Sequence, residues 1–160
     1  MKDELRQLLE NCIETGSEED LKALSILMEG VQRKINRKNN IYLDGILHME
    51  KKIDNHSCEI IIPLNPTLDN NLGIVHGGIT ATVIDTAMGT LANNLLPEGY
   101  GAVTNQLNIH YIAPGAGEQL RCRAEIVHQG TKTMVVSGEA YRSDGKKIAH
   151  ATGTFFIIKK

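Results

Sequence analysis

Apolar positions change their period more than once along the chain. In residues 1–39 they recur at three and four: Leu5, Leu8, Leu9, Cys12 and Ile13, then, beyond Gly16, Leu21, Leu24, Leu27, Met28, Val31 and Ile35. This spacing predicts two amphipathic helices. Ser17 followed by Asp20 reads as a capping box opening the second, and Arg33, Lys34, Arg37 and Lys38 sit near its end, where positive charge complements the carbonyl pole of the helix dipole. We read that basic cluster as a solvated helix end.

From Ile41 the period becomes two. Ile41, Leu43, Gly45, Leu47 and Met49 alternate with Tyr42, Asp44, His48 and Glu50, and a polar turn near Asp54 and Asn55 leads into residues 57–63, the pattern of a β-hairpin. Residues 65–73, NPTLDNNLG, are dense in turn formers and predict a loop. Residues 79–96 return to helical spacing through Ile79, Val83, Ile84, Met88, Leu91 and Leu95. The rest of that segment is mostly Ala, Gly and Thr, so its helix should be buried nearly all round. Four alternating runs follow, 103–113, 120–128, 134–141 and 148–158, the last two joined by the hairpin dipeptide Asp144-Gly145. In the first of these Val103, Leu107, Ile109 and Tyr111 share a face, and Thr104 falls in phase with Gln106, Asn108 and His110. Short turns make neighbouring strands antiparallel. The sum is an α+β chain: a helical extension over 1–39, then a domain over 40–160 in which about six antiparallel strands curl round one long helix inserted after the second strand.

Composition narrows the function. One hundred and sixty residues suffice for one sizeable core. Seventeen Lys and Arg against nineteen Asp and Glu leave a formal charge of -2, and two Phe, four Tyr and no Trp provide few stacking surfaces. Nucleic acid is therefore not an expected partner. No window approaches the roughly twenty apolar residues of a membrane span, and the amino end has no secretory pattern, from which a cytoplasmic location is expected. Cys12, Cys58 and Cys122 are odd in number and far apart, which fits reduced core thiols rather than bridges. No His falls in HExxH or beside a cysteine pair, so no metal is expected.

Within residues 79–96 Asp85 is the one ionisable side chain. A carboxylate on so apolar a helix needs either a partner or a task. A purely structural account would bond it to Thr82, Thr86 or the backbone; the functional account makes it a reacting group. At the entrance of the same helix stands His76-Gly77-Gly78, where glycines leave the first amide N–H groups open at the positive end of the dipole, the outline of an oxyanion hole. GxSxG, a P-loop and GxGxxG are all missing. A carboxylate with amide donors suits attack by water, or by the carboxylate itself, on an activated carbonyl.

Residues 70–89, NNLGIVHGGITATVIDTAMG, resemble the signature of the PaaI-like acyl-CoA thioesterases of the hotdog fold, and NQLNIHYIAPGAGE, 105–118, is similar to the family's next segment. The resemblance covers about 41–160 and leaves 1–39 outside the minimal family domain. It implies hydrolysis of acyl-coenzyme A thioesters with no metal or organic cofactor. By this similarity the Gly77 amide, helped by Asn70, polarises the thioester carbonyl; Asp85 is base or nucleophile; His76 sits near the leaving sulfur; and Thr104 takes the place of the Ser/Thr that positions water. Gly78 and Lys132, the latter in the turn 128–132, are implied substrate contacts. Gly77 and Asp85 are eight residues apart on one helix, about 12 Å at 1.5 Å per residue, whereas reacting groups must meet within roughly 3–3.5 Å. If both act on one carbonyl, a second subunit completes the site, so a homodimer is expected, and the family's habit of pairing dimers implies a homotetramer. The competing reading is a non-catalytic module that binds acyl-CoA in the same pocket.

Overall fold

The computed structural model describes all of residues 1–160, which form two compact units, Met1–His48 and Met49–Lys160. No helix is long and apolar enough to cross a membrane.

In the first unit α1 spans Lys2–Thr15 and α2 spans Glu18–Ile35. The capping box forms as the residues dictate: Asp20 N–H donates to the Ser17 hydroxyl oxygen, and Ser17 N–H donates to the Asp20 carboxylate. The expected first strand at 41–49 does not form. Tyr42–Ile46 is a short helix, α3, and Gly45 packs on Gly30 of α2 so closely that a Cβ on Gly45 would lie 2.4 Å from the Gly30 carbonyl oxygen. A backbone-to-backbone contact that only two glycines permit outweighs the alternation, and the alternating segment up to His48 joins the helical unit. His48, at φ +50, then turns the chain.

The second unit is one antiparallel sheet in the order β1-β2-β4-β5-β6-β3, with α4 packed on it. Its strands are β1 Glu50–Ile53, β2 Ser57–Pro63, β3 Tyr100–Tyr111, β4 Gln119–Gln129, β5 Thr133–Arg142 and β6 Lys147–Lys159; α4 spans Gly77–Asn94. The β1–β2 turn is held by Asp54, whose Oδ1 accepts from the N–H groups of His56 and Ser57 at 2.7 Å each. On β2, β4 and β5 alternate residues are buried: Cys58, Ile60 and Ile62; Leu120, Cys122 and Ala124; Met134, Val136 and Ala140. These meet the α4 stripe of Val83, Ile84, Ala87, Met88, Leu91 and Ala92. The helix is not buried all round. Ala81, Thr82, Asp85, Thr86, Gly89 and Thr90 are half-exposed on its other side, because small residues there fill no further layer.

Two glycines let α4 approach the sheet. A Cβ on Gly138 would lie 2.7 Å from Ile84 Cγ2 and 3.2 Å from Met88 Sδ, and one on Gly153 would lie 3.2 Å from Met88 Cε. Gly138→Ala should therefore cost about 1–3 kcal/mol by overpacking. Urea denaturation will read this as a lower midpoint at unchanged slope; an unshifted midpoint would show that the helix has room to move.

Two bulges break the alternation. In β4 the register with β5 slips between Ile126 and His128. In β3 the register with β6 slips between Thr104 and Gln106. Thr104 pairs with Phe155, which is fully buried under α4, and Leu107 pairs with Gly153 on that same side. Val103 pairs instead with Phe156 on the outer face, where both are nearly half exposed. The extra residue thus takes Val103 off the face it was expected to share with Leu107 and Ile109, and takes Thr104 out of phase with Gln106.

Candidate active site

The loop before α4 is folded back on itself. Asp69 and Val75 form an isolated antiparallel bridge, and His76 N–H donates to the Leu68 carbonyl at 2.8 Å. Asn70 opens a tight turn: Gly73 N–H donates to the Asn70 carbonyl at 3.0 Å, with Gly73 at φ +67, and Asn70 Oδ1 accepts from Leu72 N–H at 2.8 Å. This places Asn70 and Gly77 on the wall of one cleft of about 350 Å³, whose other lining is largely apolar and includes Val75, Ile112, Pro114 and Ile148.

His76 is the N-cap of α4. Its Nδ1 accepts from Gly78 N–H at 2.9 Å, and its carbonyl accepts from the N–H groups of Ile79 and Thr80. An Nδ1 that accepts leaves the ring proton of neutral His76 on Nε2, which makes Nε2 a donor. Gly78 was expected to contact substrate, but its amide is taken by this cap. Gly77 N–H is the first-turn amide with no partner in the chain, and it stands at the positive end of an 18-residue helix. Sequence reasoning missed Tyr111. Its hydroxyl donates to the Gly77 carbonyl at 2.7 Å, tying the end of β3 to the first turn of α4. Its only signal in the sequence was its phase with Leu107 and Ile109.

Asp85 lies two turns further along α4 and is half-buried. The Thr82 and Thr86 hydroxyls do not serve it; they donate to the Gly78 and Thr82 carbonyls of their own helix. Its partner comes from another element: Thr104 Oγ1 donates to Asp85 Oδ1 at 3.0 Å. The β3 bulge makes this contact possible by turning Thr104 toward the helix side. Lys132 is exposed in the β4–β5 turn, and its carbonyl accepts from Ile157 N–H. Ile157 also pairs with Ala102, so the turn lies at the Thr104 end of the sheet.

The chain thus carries two groups of candidate residues at separate points along α4: Asn70, His76, Gly77 and Tyr111 at its start, Asp85 and Thr104 at its middle. The buried cysteines Cys58 and Cys122 are not competing nucleophiles, and Cys12, expected in the core, is instead only half-buried on α1. Burial pushes the Cys58 thiol up to about 11 and Cys122 further, so both stay protonated near neutral pH. No group of three or more His, Cys, Asp or Glu side chains is gathered as a metal would need.

Residues 72–149 match the sequence profile of the thioesterase superfamily. The acyl-coenzyme A thioesterase 13 of Mus musculus is 33% identical over 99 residues, 61% of this chain and 69% of that protein. The BH2602 protein of Bacillus halodurans, whose crystal structure was solved with CoA, is 41% identical, covers 95% of this chain and 99% of its own, and superposes with a TM-score of 0.88. The chain belongs to the thioesterase superfamily. Its fold is the hotdog fold, and the Escherichia coli PaaI protein shares it, with a TM-score of 0.70 over 83% of this chain at 24% identity. The expected α+β arrangement and the expected resemblance to PaaI-like thioesterases both hold, and this thioesterase is a thioester hydrolase.

Proposed function

We propose that the chain hydrolyses acyl-coenzyme A thioesters to free acid and coenzyme A. Support for coenzyme A as the carrier comes from the CoA in the Bacillus halodurans relative and from the name of the mouse relative. The observation that carries the mechanism is the hydrogen bond from Thr104 to Asp85 Oδ1, 3.0 Å long, because it orients the carboxylate and leaves Oδ2 to accept a proton.

The thioester carbonyl lies against the unpaired Gly77 N–H at the α4 N-terminus, with the Asn70 amide beside it. Charge growing on that oxygen in the transition state is met by a fixed donor at a helix dipole. Asp85 draws a proton from water, or attacks the carbonyl carbon itself, and Thr104 holds the carboxylate and the water in line. The tetrahedral intermediate collapses with loss of the coenzyme A thiolate, which His76 Nε2–H, beside the leaving sulfur, stabilises; where Asp85 itself has attacked, water then hydrolyses the aspartyl acyl anhydride to free acid and the restored carboxylate. Lys132 and the amides of its turn meet the coenzyme phosphates.

Because Gly77 and Asp85 stand about 12 Å apart on one rigid helix, the carbonyl bound at one chain's Gly77 is attacked from the Asp85 of a second chain. The working unit is then a homodimer, with a homotetramer as a pair of such dimers. β3 is at the edge of its sheet with one neighbour, β6, so a second copy has a strand beside which to lie.

The test is a panel of acyl-CoA esters, aromatic, short and long, followed by release of free thiol. Turnover of at least one ester, with no added metal, is expected. Binding of the esters with no thiol release from any would overturn the proposal and leave a module that binds without chemistry.

A further inference from the structure

We infer that Asn93 is a positioning residue for the Thr104–Asp85 pair, acting through the backbone of Ala102. The inference rests on the reading of Asp85 and Thr104 just given.

Asn93 is in the last turn of α4, two turns beyond Asp85, and Gly89 lies between them at the same angular position on the helix. Its side-chain amide makes a two-bond match with β3. Ala102 N–H donates to Asn93 Oδ1 at 3.0 Å, and Asn93 Nδ2 donates to the Ala102 carbonyl at 3.1 Å. Nδ2 also donates to the Gly89 carbonyl at 2.8 Å, which fixes the amide on its own helix. An N–H and a C=O of one residue satisfied by one partner is the bonding that a neighbouring strand would give. β3 has such a neighbour only in β6. The Asn93 amide stands in for a second one at Ala102.

Ala102 is two residues before Thr104, on the near side of the bulge. Without the amide clamp, the segment ahead of the bulge is held by its own chain along one side only, and the bulge is where a strand bends most readily. A displacement of about 1 Å in a reacting group can cost a hundredfold in rate. The clamp therefore sets the distance between Thr104 Oγ1 and Asp85. Asn suits the task because it offers an acceptor and a donor in one plane; Asp lacks the donor.

The experiment is a double-mutant cycle on thioester hydrolysis, with Asn93→Ala and Thr104→Val singly and together, and Asp85→Asn alongside. Asn93→Ala should lower kcat about tenfold and leave KM within twofold, since the Asn93 amide bonds only to the backbone of Ala102 and Gly89 and to no substrate-binding group. In the Thr104→Val background the same substitution should lower kcat less than twofold, because the hydroxyl that it positions is gone. Equal falls in both backgrounds, or an unchanged kcat in Asn93→Ala, would overturn the inference; a general loss of stability gives the first of these. Asn93→Asp, which keeps one of the two Ala102 bonds, should fall between wild type and Asn93→Ala, and serves in its place if the alanine variant does not fold. Undiminished turnover in Asp85→Asn removes the site reading and the positioning with it, whereas uncoupled falls at Asn93 with an inactive Asp85→Asn remove the positioning alone.

Discussion

Replacing Asp85 by Asn should lower turnover by a factor of about a hundred or more while leaving acyl-CoA binding in place. The substitution is nearly isosteric, and the amide oxygen of Asn can still accept the bond from Thr104 Oγ1 that Asp85 Oδ1 now accepts at 3.0 Å. What disappears is the oxygen that takes a proton or attacks carbon. The carboxylate is half-buried on a helix whose opposite stripe fills the core, so the exchange adds no volume and leaves the fold as it is. Steady-state hydrolysis with a parallel binding measurement reads the two effects apart. Near-normal turnover in the folded variant would remove Asp85 from the chemistry.

Gly77→Pro should abolish hydrolysis, and mixing it with Asp85→Asn should restore about a quarter of the wild-type rate. Proline is tolerated here for reasons visible in the backbone. Gly77 is the first residue of α4, where an N–H has no helical partner, and His76 before it has φ -60 and ψ 136, the extended region that a residue before proline prefers. A Cβ at Gly77 would meet Tyr111 at 3.4 Å, an ordinary contact. The substitution therefore removes the amide and little else, and Gly77→Ala, which keeps the amide, should stay within severalfold of wild type. In a mixed dimer one site joins the intact Gly77 of the Asp85→Asn chain to the intact Asp85 of the other, and the second site is doubly damaged. Random equimolar exchange makes half the dimers mixed with one of two sites whole, hence about one quarter of the activity. A site complete within one chain returns nothing on mixing. That outcome, with exchange confirmed, would dismiss the pairing of Gly77 with Asp85 across chains.

The parts of the fold that periodicity exposed are those in which one face is wet. β2, β4 and β5 alternate cleanly because a stripe of each lies under α4, and α2 begins at Ser17 because the capping box is local chemistry. Residues 41–49 were misread because Gly30 and Gly45 decide their conformation by meeting across space, which no local pattern records. The stretch around Thr104 failed for a different reason. Strict alternation assumes that every residue of a strand is paired, and a bulge is one residue that is not. Within the site, Asp85 and Gly77 stood out because each is chemically odd for its place on an apolar helix. Tyr111 and Asn93 did not, since a tyrosine at a strand end and an asparagine near a helix end are unremarkable until the carbonyl of Gly77 and the backbone of Ala102 are seen beside them.

The close seating of α4 on Gly138 and Gly153 has a consequence for how this protein can change. Enlarging Val83 or Ala87 forces a tightly filled layer apart, at about 1–3 kcal/mol for each misfit. Leu72 and Ile112, at 75% and 58% exposed, flank the cleft on loops, where a substitution typically shifts stability by no more than about 0.5 kcal/mol. Tolerance to mutation is thus distributed unevenly: the core-facing stripe of α4 is nearly closed to variation, and the rim of the cleft is open to it. A lineage or an engineer seeking a differently shaped cleft has a free hand at the rim and little room on the core-facing side of α4.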